Sequence, residues 1–149
     1  LIPGGRKVSI ERETFPLVVA DGGLYAMPAE AYWLDTGRPE LYLQANLDVL
    51  DGLSRVPCPP PARPTSEVAN DATISRSVIG AGAVVAAGAH VVNSVILPGA
   101  RIGATAHVHD SIVAGQIGSG ARLTRVVIGA DAEIPAGAEL SDVRVPSPD

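Results

Sequence analysis

Four side chains have types and positions suited to chemistry: the carboxylates of Glu11 and Asp35, and the imidazoles of His90 and His107. The two histidines are seventeen residues apart, at equivalent points of a repeat, and His109 lies close by. A histidine in such a place could serve as a general base; the alternative is that stacked histidines decorate an exposed corner. Glu11 has the plain alternative of a charge at a helix N-terminus, and Asp35 that of a cap on the helix predicted to follow it.

The composition narrows the class of protein in which these side chains stand. Among 149 residues, 46% are apolar but only 3% are aromatic, so small aliphatic residues must fill the core, which is typical of a narrow, repetitive interior. A net charge of -5 without charged blocks argues against a nucleic-acid-binding face or an anionic membrane surface. The lone Cys58 allows no internal disulfide, and no apolar stretch approaches the roughly 20 residues of a membrane span. We expect a cytoplasmic protein.

A repeat begins near residue 74 and continues almost to the end of the chain. Aliphatic residues recur every five or six positions, each followed by small residues, as in Ile79-Gly-Ala-Gly-Ala-Val. A longer period of seventeen lies over it, since successive units begin with Ser77-Val-Ile, Ser94-Val-Ile and Ser111-Ile-Val. Hexads within such a period predict a coil with three flat sides, whose aliphatic residues point inward and are buried by the coils above and below. At the irregular step near Gly115-Gln116 we expect a bulged corner.

Two further zones precede the β-helix that this repeat predicts, which we expect to occupy residues 67–149. Residues 1–53 hold every aromatic residue of the chain and have a mixed α/β character. Residues 54–66 form a Pro-rich linker, because their density of proline excludes a regular helix or a central strand.

Local signals in the first zone predict two helices. Ser9 can cap the first, and the pair Gly22-Gly23 breaks the chain after it. Two short extended runs are expected between Leu24 and Leu34. The second helix is predicted to open at Pro39 and to end at Gly52, with an apolar stripe of leucines between them.

The repeat resembles the hexapeptide-repeat family, whose fold is a left-handed parallel β-helix. The handedness is implied by this resemblance, since crossovers between parallel strands are right-handed in nearly all other folds.

Three segments before the linker carry a second resemblance. They are Ser9-Ile-Glu-Arg-Glu-Thr-Phe-Pro, Ala31-Tyr-Trp-Leu-Asp-Thr-Gly-Arg-Pro and Tyr42-Leu-Gln-Ala-Asn, in that order. They are similar to the last third of the catalytic domain of sugar-phosphate nucleotidyltransferases, and most similar to the mannose-1-phosphate guanylyltransferases. In this family an α/β catalytic domain is commonly followed by a β-helix tail. The expected fold is therefore the C-terminal portion of an α/β nucleotidyltransferase domain followed by a left-handed parallel β-helix.

The second resemblance implies functional roles for two residues. Asp35 would help to hold a catalytic Mg²⁺ in the full-length parent, an ion that needs one or two carboxylates besides substrate phosphates. Glu11 would approach the substrate. The parent's partners would be a nucleoside triphosphate and a sugar 1-phosphate, and its reaction would convert GTP and mannose 1-phosphate to GDP-mannose and pyrophosphate. The β-helix would serve homo-oligomer assembly or regulation, with no nucleic-acid or membrane partner.

Several parts of the family's active site do not occur between Leu1 and Asp149. These are the Gly-rich nucleotide loop, a second metal carboxylate and a Glu-Lys-Pro segment that contacts the sugar. Because the chain also begins without Met, we expect a piece of a longer protein that holds no catalytic residue and is inactive by itself. Two alternatives stay open: a hexapeptide-repeat acyltransferase with His90 or His107 as the base, and a non-catalytic assembly module. The residues that choose the nucleotide base and the sugar would lie upstream.

Overall fold

A computed structural model describes residues 2–54 and 66–146 and divides into two compact units, Leu1–Ala31 and Tyr32–Asp149. Residues 55–65, which make up most of the predicted Pro-rich linker, lie outside the described residues, as do residues 147–149 at the end of the predicted repeat. The predicted boundaries at residues 53 and 67 therefore stay predictions.

The first unit contains one short helical segment, a π-helical turn at Ile10–Thr14 that continues into helix α1, Phe15–Ala20. The Ser9 hydroxyl oxygen accepts a hydrogen bond from the Arg12 N–H at 3.3 Å, and the Glu13 carboxylate accepts one from the Ser9 N–H at 3.2 Å. This reciprocal arrangement is similar to a capping box, with the carboxylate one residue later than usual, and it confirms the predicted start.

The end of α1 and the residues after it agree with the prediction only in part. Gly22 has a φ of +69°, in the left-handed region that ends a helix, so the predicted break is confirmed. The two extended runs predicted between Leu24 and Leu34 do not become strands, because residues 23–36 form no strand in the described structure. Strands need hydrogen-bonded neighbours, and no described segment pairs with these residues.

Helix α2, Pro39–Leu50, belongs to the second unit and confirms the predicted helix at both ends. Pro39 occupies the first helical position, where its missing N–H costs no hydrogen bond. Gly52 follows the helix with a φ of +73°, and the Leu53 N–H returns to the Asp48 carbonyl at 2.9 Å. Of the predicted leucine stripe, Leu47 is the fully buried member.

The described residues from 67 to 145 form a parallel β-helix of five coils, each of three short strands. The strands are β1 Glu67–Val68, β2 Thr73–Ser75, β3 Val78–Ile79, β4 Val84–Val85, β5 His90–Val92, β6 Val95–Ile96, β7 Arg101–Ile102 and β8 His107–His109. They continue as β9 Ile112–Val113, β10 Gln116–Ile117, β11 Arg122–Thr124, β12 Val127–Ile128, β13 Glu133–Ile134, β14 Glu139–Ser141 and β15 Arg144–Val145.

These strands form three five-stranded parallel sheets, one for each side of the coil. Sheet A is β1-β4-β7-β10-β13, sheet B is β2-β5-β8-β11-β14, and sheet C is β3-β6-β9-β12-β15. The aliphatic leaders of the hexads point inward and stack from coil to coil, and alanines at the corners complete the buried core. The predicted three-sided hexapeptide-repeat β-helix is thus confirmed.

A ladder of serines at the corner between sheets B and C follows the seventeen-residue period. The Ser94 N–H donates to the Ser77 hydroxyl oxygen at 3.0 Å, and the Ser111 N–H donates to that of Ser94 at 3.1 Å. The Val126 N–H continues the ladder by donating to Ser111 Oγ at 3.1 Å. Ser94 and Ser111 are fully buried, so each hydroxyl satisfies a backbone group that water cannot reach.

The bulged corner predicted near Gly115-Gln116 is wrong, because the corner is shortened instead. Residues 97–100 separate β6 from β7, whereas only residues 114 and 115 separate β9 from β10. At this corner a Cβ on Gly115 would lie 2.5 Å from the Gly129 carbonyl oxygen. Glycine is required here by close approach of backbone to backbone.

Among the helices of residues 2–54 and 66–146, none combines the length and the hydrophobicity that a membrane span requires.

Candidate functional site

Asp35 lies in an exposed loop that leads into helix α2. Its Oδ1 accepts a hydrogen bond from the Gly37 N–H at 3.0 Å, which closes a tight turn by the side chain. The residue that caps α2 is Arg38, which makes no side-chain cap hydrogen bond, so the alternative role of Asp35 as the helix cap is wrong. Gly37 has no left-handed φ; it is suited to the turn because a Cβ there would crowd Asp35 Oδ1 at 3.2 Å.

The start of this loop is fixed to the third turn of α2. The Tyr32 hydroxyl donates to Asp48 Oδ2 at 2.7 Å, and the Gln44 amide donates to Asp48 Oδ1 at 2.5 Å. The Asp48 carboxylate is buried and has both oxygens satisfied, as a buried charge requires. The hydrogen bond to Asp48, together with desolvation, raises the pKa of the Tyr32 phenol above its usual range.

The end of the loop is fixed through the first turn of α2 to the last described coil of the β-helix. Arg144 Nη2 donates to Glu40 Oε1 at 2.7 Å, across 104 residues of sequence. At the other end of α2, Arg76 Nε in the first coil donates to Asp51 Oδ1 at 3.0 Å. Hydrogen bonding to its own backbone N–H and then to Arg144 lowers the pKa of Glu40. Hydrogen bonding to Arg76 lowers the pKa of Asp51.

A groove of about 560 Å³ lies between α2 and the β-helix. We call it the α2 groove. Its apolar lining comes from α2 and from sheet C and its approaches: Leu43, Leu47, Ile112, Val126, Val127 and Val143. Three arginines also line it, and each is paired with a carboxylate: Arg76 with Asp51, Arg125 with Asp142, and Arg144 with Glu40. Asp35 does not line this groove.

Asp35 can supply one ligand to a metal ion, but not a whole metal site. One of its oxygens is held by Gly37, and the carboxylate is exposed. Within residues 2–54 and 66–146, no three His, Cys, Asp or Glu side chains stand close enough to hold an ion together. This donor set fits an ion whose remaining ligands come from phosphates and from residues outside the described structure, as Mg²⁺ accepts.

Glu11 lies in the first unit, in the π-helical turn after the Ser9 cap, and is exposed. The turn also carries Glu13, which forms an ion pair with Arg6 at 2.7 Å. This pair and the Ser9 N–H lower the pKa of Glu13. The position of Glu11 matches the plain alternative of a charge at a helix N-terminus, and its role toward a substrate stays a prediction.

His90 and His107 stack on the outer face of sheet B, with ring centroids 4.8 Å apart and ring planes 6° from parallel. They pair in register, and Arg122 follows them on the next strand. Burial, then the charges of Arg122 and His90, lowers the pKa of His107. Neither ring lines the α2 groove or the shallower depression of about 350 Å³ on sheet A. Their role as an acyltransferase base stays a prediction.

Sequence reasoning did not find the residues that hold the Asp35 loop in place. Tyr32 and Asp48 are sixteen residues apart, and Glu40 and Arg144 are on opposite sides of the β-helix sequence. Neither pair stands in a local motif, so no sequence signal could have revealed them.

Comparisons with known proteins agree with both resemblances. The family described as "GlmU-like, C-terminal hexapeptide" matches residues 60–142. The "Mannose-1-phosphate guanylyltransferase" of Mycobacterium tuberculosis is 41% identical over 58 residues, which are 38% of this chain and 16% of that protein. The "Mannose-1-phosphate guanylyltransferase 1" of Arabidopsis thaliana is 44% identical over 50 residues, 34% of this chain and 14% of that protein.

A third relative gives the longest matched stretch of the three. The "Mannose-1-phosphate guanyltransferase" of Yarrowia lipolytica is 42% identical over 62 residues, which are 42% of this chain and 17% of that protein. The matched part of the chain therefore spans about a sixth of the length of these curated relatives.

Proposed function

We propose, since the chain belongs to the GlmU-like C-terminal hexapeptide family, that it is the C-terminal part of a sugar-nucleotide pyrophosphorylase. The parent protein would convert GTP and mannose 1-phosphate to GDP-mannose and pyrophosphate. The observation that carries the proposal is the 41–44% identity to proteins named as mannose-1-phosphate guanylyltransferases. The β-helix itself is a nucleotidyltransferase-related hexapeptide domain.

Exposed apolar side chains before the linker support this proposal. Tyr25 and Met27 are each 88% exposed, and Trp33 is 81% exposed. Large apolar side chains that are exposed in each unit mark residues that another part of a protein or a partner covers. The remainder of an α/β catalytic domain would cover these side chains in the parent protein.

Asp35 would contribute its free carboxylate oxygen to the catalytic metal. When bound, Mg²⁺ would neutralise charge on the nucleotide phosphates as pyrophosphate leaves. The turn closed by the Gly37 N–H orients the carboxylate. The hydrogen bond between Tyr32 and Asp48 holds the start of the loop. Glu11 would approach the substrate in the parent.

The β-helix would serve as the assembly part of the parent protein. Among the described strands, those of the first coil (β1, β2, β3) and of the last (β13, β14, β15) have a paired neighbour on one side only, and flat parallel sheets offer self-complementary faces. We propose a homo-oligomer built through these surfaces. A monomer by light scattering would count against this part of the proposal.

Replacing Asp35 by Asn in the full-length protein tests the metal role. Asn keeps the oxygen that accepts the Gly37 hydrogen bond but removes the charge, so the turn is preserved. We expect Mg²⁺-dependent pyrophosphate exchange to fall at least about 100-fold. The matched control is Asp131→Asn, an exposed aspartate in a β-helix turn, which should retain full activity.

Two assays of the parent protein, pyrophosphate exchange and acyl-CoA consumption, distinguish a nucleotidyltransferase from an acyltransferase. Unchanged exchange in Asp35→Asn across a Mg²⁺ titration removes Asp35 from the site. A parent protein that consumes acyl-CoA, and loses this activity on His107→Ala, would instead be an acyltransferase.

A further inference from the structure

We infer that Arg144, in the last described coil of the β-helix, is a positioning residue for the loop that carries Asp35. The inference rests on the proposed function, since it concerns the same candidate metal ligand. It gives the β-helix a part in the reaction beyond assembly: the tail holds a residue of the catalytic domain in place.

The length of α2 matches the length of the β-helix. Twelve helical residues extend about 18 Å at 1.5 Å each. Five coils extend about 19 Å between the first and the last at a strand spacing of about 4.8 Å. The pair Asp51–Arg76 joins one end of α2 to the first coil, and the pair Glu40–Arg144 joins the other end to the last. The helix therefore runs along the coil axis and is clamped at both ends.

The ion pairs at the two ends of α2 matter because the packing along the middle of this helix is incomplete. The α2 groove, of about 560 Å³, separates part of the helix from the β-helix, whereas a close-packed contact would hold the helix without help. Leu47 is the fully buried apolar side chain of α2 and lies in its C-terminal half, far from Glu40. The tilt of the N-terminal half is thus set by the contact of Glu40 with Arg144.

The loop that carries Asp35 is attached to helix α2 at two points. Tyr32 is bound to Asp48 in the third turn, and Pro39 begins the first turn, next to Glu40. A change in the tilt of the first turn moves one end of the loop while the other stays in place. The turn between Asp35 and Gly37 must absorb this movement, and with it the direction of the carboxylate.

Hydrogen exchange of the Gly37 amide in the chain as given tests the positional part. The variant Arg144→Met removes the guanidinium but keeps an apolar stem, and it should speed exchange at Gly37 by about two- to fivefold, the range expected for an exposed ion pair. The matched control is Arg122→Met, since Arg122 pairs with Glu139 on sheet B and does not line the α2 groove. It should leave Gly37 exchange unchanged.

A charge exchange provides the rescue. In the double variant Glu40→Arg, Arg144→Glu the pair is restored in reverse, so Gly37 exchange should return toward its original rate, while each single variant raises it. Equal exchange at Gly37 in Arg144→Met and in the original chain would overturn the inference.

A metal titration of the full-length protein tests the functional part. Arg144→Met should raise the Mg²⁺ concentration for half-maximal pyrophosphate exchange by about two- to fivefold, with an unchanged melting temperature, and Arg122→Met should not. Faster Gly37 exchange without this shift would overturn the positioning role even if the enzyme is active. If no pyrophosphorylase activity exists at all, the proposed function fails, and the amide exchange still decides whether Arg144 holds the loop.

Discussion

The β-helix and the residues before the linker bury their apolar side chains to very different degrees. Leu47 is the one fully buried hydrophobic residue described before residue 83, and all the others lie in the coils from Ala83 onward. Conversely, most of the exposed large hydrophobic side chains, including Phe15, Tyr25 and Trp33, lie before the linker.

This difference shows how each region obtains the contacts that stabilise it. In the β-helix, each coil is covered by the coils above and below, so a short repeated pattern suffices to build a core. The residues before the linker have no repeated neighbour and leave their aromatic side chains exposed. They are suited to packing against other polypeptide, which is what the proposed function requires of them.

Replacing an isoleucine by alanine in each of the two regions should give the largest difference in the free energy of unfolding. Ile102 in the middle coil is 1% exposed and Ile10 is 47% exposed. Ile102→Ala should lower the free energy of unfolding by about 2–5 kcal/mol, because it removes buried methylenes and leaves a cavity in a narrow core. Ile10→Ala should change it by less than about 0.5 kcal/mol. Urea denaturation followed by circular dichroism measures both, and equal effects would show that the comparison of burial is wrong.

Much of the β-helix could be predicted because its information is local and repeated. The hexads and the period of seventeen gave the three sheets, and the serine positions turned out to form a buried ladder. The irregular corner was predicted at the correct position, but it was predicted to bulge and is shortened instead. A change of period reveals that a corner differs, but not whether the backbone bulges or the corner is shortened.

The surroundings of the candidate site could not be predicted in the same way. The sequence motif identifies Asp35 and its turn with Gly37, which are neighbours in the chain. The contacts that hold the loop join Tyr32 to Asp48 and Glu40 to Arg144, and the second pair depends on how α2 lies against five completed coils. Such contacts arise from tertiary packing and leave no periodic signal.

The shortened corner offers a second contrast, between a glycine that the backbone encloses and one in open space. Gly115→Ala should destabilise the protein by about 1–3 kcal/mol, because the added methyl overlaps backbone of the next coil that cannot move independently. Gly4→Ala is the matched control, since nothing lies within 4 Å of its Cβ position and its φ is not left-handed. Thermal unfolding of the two variants measures the difference. A neutral Gly115→Ala would mean that the corner relaxes freely.

The smallest expected effect is a change in melting temperature with pH. It reports on the β-helix alone because all three histidines of the chain lie there. Burial, then the charges of Arg122 and His90, lowers the pKa of His107 from its ordinary value in the folded protein. The neutral ring is therefore favoured by folding: its contribution to stability is present above the unfolded pKa and is lost as the pH falls through the folded one.

We expect the melting temperature to fall on the order of 1–2 °C between pH 7.5 and pH 5 through this group, a range in which exposed carboxylates stay charged. The His107→Gln variant should lose this part of the fall. His109→Gln should keep it, because His109 lies beside Asp110, with Nδ1 2.7 Å from Oδ2, and is not a member of the stack. An identical fall in His107→Gln would assign the pH dependence to other groups, and a rise in the original chain at pH 5 would contradict the sign. The stacked histidines would then be surface features without effect on the coils beneath them.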